Sequence, residues 1–233
     1  MKTLETNVDQ IRNLTRTGGI LYLVLIICGM YAELFVLGDL VVGGDATVTA
    51  NNIRSHEGFY RTGIIAHIVT IVSGLILMGI LFMIFKSTSL HLAITAVIFN
   101  TVALALEGVS ILYELEMLSI VKSRMLATVF TADQIDTLAY QPLKMQTIGY
   151  DLALLFFGVV CCLNAALILK SKLFLRWIGF VLLLAGVCYI TNSLVSYIAP
   201  AIRNYLLPFI LVPCLVAELS LSINMIANGK RKR

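Results

Sequence analysis

Six apolar stretches, about residues 19–37, 63–85, 90–117, 151–170, 176–199 and 204–228, set the terms for everything else in this chain. At about 1.5 Å of rise per residue, each is long enough to cross the roughly 30 Å of hydrocarbon in a bilayer. In that solvent every backbone polar group must be satisfied internally, so each stretch is expected to be an α-helix. The expected fold class is all-α: a six-helix transmembrane bundle with two short amphipathic helices in the outer loops, forming a single integral membrane domain over 1–233. Composition agrees, since 59% of residues are hydrophobic and only 13% charged, against roughly 25% charged in a soluble domain.

Charge distribution orients the bundle. Of the 17 Lys and Arg residues, the side carrying both termini holds 11: Lys2, Arg12, Arg16, Lys86, Lys170, Lys172, Arg176 and the four of Lys230–Arg233. The other side holds 6, so the positive-inside rule places both termini in the cytoplasm of a multi-pass plasma-membrane protein. The net charge of +4 is read as a consequence of that topology and of contact with the lipid bilayer, with Gly229–Arg233 as a headgroup anchor; no nucleic acid is expected as a partner. Cys28, Cys161, Cys162, Cys188 and Cys214 all fall inside expected helices with no CxxC pair, and are read as small apolar core residues.

The connectors carry their own signals. Residues 1–17 lack the apolar core and cleavage site of a signal peptide; Val8, Ile11 and Leu14 suggest a short helix on the inner surface. After the Gly43-Gly44 break, Asp45 is placed to cap a helix toward Ile53, which would rest on the membrane or over the bundle. Four residues, Lys86–Ser89, join the second and third runs and force them to pack antiparallel. Thr131-Ala-Asp-Gln134 reads as a capping box opening a short helix that Pro142 stops, and Asp151 is expected to cap the fourth span. Pro208 and Pro213 are expected to kink the sixth.

The polar residues inside the spans point to function. Asn100, Glu107 and Glu114 recur every seven residues in the third run and therefore lie along one stripe of the helix. A carboxylate there costs at least ~2.5 kcal/mol unless it faces protein or water. Counting from the middle of each run at ~1.5 Å per residue puts Glu33, Glu107 and Asn192 about 6–8 Å to the outer side of the midplane, with His67 and Asp151 slightly beyond and Glu218 slightly inside. This convergence suggests an outward-facing acidic pocket in which Glu33, His67, Glu107, Asp151, Asn192 and Glu218 bind a ligand or handle protons. The leading expectation is binding or transport of a small solute or cation centred on Glu107.

Two other readings stay open. Glu33, His67 and Glu107 are of the right types for a divalent metal such as zinc, and the same carboxylates could then serve an intramembrane hydrolase. No HExxH, GxSG or GxGD signature accompanies them. In the third reading the protein is structural or regulatory, and pairs such as His67 with Glu107 only hold helices together.

Several short segments together carry a resemblance. They are Gly19-Ile-Leu-Tyr22 with Ala32-Glu33; Gly44-Asp45-Ala46 through Ala50-Asn51-Asn52-Ile53; Phe59-Tyr60-Arg61; Gly149-Tyr150-Asp151 with Phe157-Gly158; and Pro213 with Glu218. In these the chain resembles a bacterial membrane family catalogued as domain of unknown function 4386. The resemblance spans nearly the whole chain, implies a six-helix bundle and brings no activity with it.

Overall fold

The computed structural model describes residues 2–171 and 173–228, with side chains over 10–171, 173–199, 202 and 209–228. Helix α1 occupies Lys2–Met30, widens into a π-helical stretch at Tyr31–Leu37 and closes with a turn at Gly38–Leu40. There follow α2 (Ala46–Ser55), α3 (Glu57–Phe85), α4 (Leu90–Val121), a 3-10 turn at Leu126–Thr128, α5 (Ala132–Ser171), α6 (Arg176–Ile198) and α7 (Pro200–Asn228). No strand occurs among the described residues, and every helix except α2 contains a stretch long and apolar enough to cross a membrane.

The spans form a ring. Each packs on the next in sequence, and α7 returns to α1 to close the circle. Among the described residues no pair of spans facing each other across the ring makes extended contact, so space is left at the centre. Hydrocarbon gives apolar side chains no reason to prefer a neighbouring helix, so small residues that let backbones approach set the seams. At the α5–α6 seam a Cβ on Gly158 would lie 2.8 Å from the carbonyl oxygen of Gly186, and one on Gly186 would lie 2.6 Å from that of Gly158. At the α1–α7 seam the Ser222 hydroxyl donates to the Gly19 carbonyl at 2.8 Å.

Two apolar clusters pack toward the two ends of the ring. Near the termini, Leu77, Phe85, Leu167, Phe174, Ile178 and Leu221 belong to one cluster, in which the Phe85 and Phe174 rings lie 5.8 Å apart. At the opposite end Leu37, Leu40, Ile53, Tyr60, Met117 and Leu143 belong to the other. Helix α2 roofs that end. Asp45 caps it by accepting from Val48 N–H at 2.9 Å, and Gly44, at φ +86°, makes the preceding turn in a conformation that suits glycine. Its buried face is Thr49, Ala50 and Ile53. Arg54 pairs with Asp136 of α5, and the Tyr140 hydroxyl accepts from Gly44 N–H at 2.9 Å, fastening roof to bundle.

Three connector expectations are corrected. Residues before Gly19 continue α1 instead of forming a separate surface helix. The capping box at Thr131 and Gln134 forms, with Thr131 N–H donating to Gln134 Oε1 at 2.9 Å, but the helix it opens is α5 itself. Pro142 does not stop that helix; it removes one N–H, while Ile135, Ala139 and Leu143 bury on both sides of it and outweigh the loss. Asp151 consequently lies in mid-helix and caps nothing. The Gly229–Arg233 anchor and Lys172 lie outside the described residues, as does the side chain of Pro208.

Candidate functional site

A closed polar circuit sits between the central space and the α2 roof. His67 on α3, 2% exposed, presents Nδ1 to Glu114 Oε1 at 2.8 Å and Nε2 to Glu33 Oε1 at 3.3 Å. Neither oxygen lies on the line of the ring N–H, so the contacts are ionic approaches more than aligned hydrogen bonds. Gln146 of α5 completes the loop: its Nε2 donates to Glu33 Oε1 at 3.2 Å and to Glu114 Oε1 at 3.4 Å. Four spans thus meet through four side chains. Imidazole has two donors only as the cation, and the ring is placed to pair with both carboxylates when it is protonated.

The backbone explains who takes part. Helix α4 continues to Val121, so Glu114 is a full member of the inward stripe and 1% exposed. Glu33 lies on the π-helical stretch, and wide turns of this kind mark functional positions more often than chance. The expected pairing of His67 with Glu107 is not what forms: the imidazole is held by Glu114 and Glu33.

Inside the ring lies a cavity of about 740 Å³. Glu33, Asn100, Glu107, Asn192 and Glu218 line it, and so do Gln146, Tyr150 and Asn164. Glu107 makes no hydrogen bond or ion pair with a described residue. Asn192, 3% exposed, leaves its Oδ1 without a partner. Glu218 accepts from the Tyr189 hydroxyl at 2.5 Å. Among the described residues no Lys or Arg lines the cavity, and three carboxyl groups, of Glu33, Glu107 and Glu218, share its wall. Such a space attracts positive charge.

Of the six residues expected in the pocket, Glu33, Glu107, Asn192 and Glu218 line the cavity. His67 stands behind the wall in the circuit, and Asp151 is turned away to α6, where it accepts from Ser196. Sequence reasoning missed Gln146, Tyr150 and Tyr189. Gln146 lies one turn before Tyr150 and carries a helical signal only once Pro142 is read as interior. Among the described residues no group of three His, Cys, Asp or Glu side chains is arranged to hold a metal ion.

The model of the family described as Domain of unknown function (DUF4386) matches residues 17–229, and the chain belongs to that family. No curated protein and no solved structure matches it.

Proposed function

We propose that this member of the DUF4386 family, a multi-pass membrane protein, binds a small positively charged solute in its central cavity and carries it across the bilayer. One observation supports the reading above the rest: a central cavity of about 740 Å³ whose described lining holds three carboxyl groups and no basic side chain. Glu107 is the principal counter-ion, because its carboxyl group makes no hydrogen bond or ion pair with a described residue. Asn192 Oδ1 supplies an acceptor that a ligand N–H or an ordered water would satisfy. The circuit around His67 holds the acidic end of the cavity rigid. With termini cytoplasmic, as the excess of Lys and Arg on their side suggests, that acidic end faces the extracytoplasmic half of the membrane.

The test is binding of tetramethylammonium to purified protein in lipid nanodiscs, with Glu107→Gln as the variant. Removing one unscreened counter-ion should weaken binding about tenfold or more, roughly 1.4 kcal/mol, with the thermal transition of the ligand-free protein unmoved. Equal affinity in wild type and variant, or no saturable binding in either, would overturn the proposal.

A further inference from the structure

The cavity is acidic around Glu33 and Glu107 and mainly apolar beyond them, where Asn100, Asn164 and the Tyr189–Glu218 pair are the polar groups on its wall. Away from Glu33 and Glu107 it is walled by Leu77, Leu81, Phe82, Phe85 and Leu167. A compact hydrophilic ion would occupy only the polar end and leave the remainder as apolar void, which stays dry and loses dispersion contacts along its lining. An alkyl chain fills it.

The route in follows from exposure. One apolar cluster under α2 joins residues of α1 to α5, and another gathers around Phe85 and Phe174 at the terminal end. Gly38 and Thr147 are exposed lining residues at the α2 end, and the largest apolar exposures of the lining lie on the lipid-facing side wall, at Leu34 of α1 and Val212 of α7, 48% and 63% exposed. Helices α1 and α7 are in backbone contact at Gly19 and Ser222, near the termini, and Leu34 lies about four turns further along α1. Beside Leu34 stands Glu33, the first carboxylate a head group would meet on passing sideways from the bilayer.

Building on the solute-binding reading above, we propose that the ligand is a single-chain amphiphile with a cationic head, taken laterally from the bilayer between α1 and α7. Its head lies among Glu33, Glu107 and Asn192, and its chain extends along Leu77, Leu81 and Phe82. The unpartnered Asn192 Oδ1 marks the head position, because an acceptor buried this deeply is otherwise left unmade.

Saturation binding in nanodiscs, corrected for partition into empty discs, separates the alternatives using three probes: tetramethylammonium, octyltrimethylammonium and octanol. A buried methylene is worth about fourfold in affinity, so octyltrimethylammonium should bind one per chain at least about 100-fold more tightly than tetramethylammonium, and octanol should not displace it. Equal affinity for the short and long cations would sink the amphiphile proposal while leaving cation binding intact. Displacement by octanol at equal concentration would show an unselective apolar void and overturn it too. Absence of binding by any cation would bring down both readings together. Val212→Trp, at the exposed rim and outside the head-group site, tests the route: loading of the octyl probe should slow several-fold at unchanged affinity, and unaltered loading would refute lateral access. Leu81→Trp, which occupies the chain-binding half, should weaken the octyl probe selectively; retained tetramethylammonium binding in that variant certifies that it is folded, and undiminished octyl binding would contradict the placement of the chain.

Discussion

Glu114 and Glu107 sit on the same face of α4, two turns apart, and meet opposite fates. Glu114 is buried against the His67 ring at 2.8 Å with the Gln146 amide beside it. Glu107 faces open space and touches no cation or donor of the described protein. A carboxylate whose surroundings complete it holds helices together; one whose surroundings leave it incomplete is available to something from outside. The same contrast separates the two halves of the polar layer, circuit against cavity.

Substitutions should break or sharpen that contrast. The largest effect is expected from His67→Ala, which removes the imidazole between the buried Glu114 and the half-buried Glu33 and should cost about 3–5 kcal/mol in unfolding titrations in detergent; an unchanged midpoint would dissolve the distinction between circuit and cavity. Gln146→Leu deletes both amide donors but leaves the imidazole in place, so a smaller loss of about 1–2 kcal/mol is expected by the same measurement. Asp45→Ala touches neither half. It uncaps α2, for about 1 kcal/mol, and hydrogen exchange should rise in Ala46–Ser55 while α4 stays protected. On the cavity side, Asn192→Leu buries no orphaned acceptor and should leave the protein as stable or more so, by up to about 1 kcal/mol, while weakening cation binding. Destabilisation of that variant would mean that Asn192 belongs to the framework after all.

The spans, the Asp45 cap and the Thr131–Gln134 box were legible because hydrophobic length and capping chemistry are local. Pro142 was misread for the same reason. Its effect on a helix depends on what the flanking turns bury, and Ala139 and Leu143 share an apolar cluster with Ile111, Met117 and Leu118 of α4. Reading Pro142 as a stop displaced Gln146 into a loop and set Asp151 at a helix start. Placing the end of the third span near Glu114 then made Glu107 the natural partner of His67. The periodic stripe already held the right residue, since Asn100, Glu107 and Glu114 do face inward together. The π-helical stretch that carries Glu33 had no signal in Tyr31–Leu37, where nothing but tertiary fit selects a wider turn.

Where Gly158 meets Gly186, main chain rests on main chain with no side chain between. Such a join has no rotamers to exchange and no slack to take up, so it behaves as a rivet. The Gly19–Ser222 contact, where a Cβ on Gly19 would lie 2.7 Å from the Ser222 carbonyl oxygen, is a second such join near the termini, so any widening of the ring falls where helices meet through side chains that can swing, as along Leu34 of α1 and Val212 of α7.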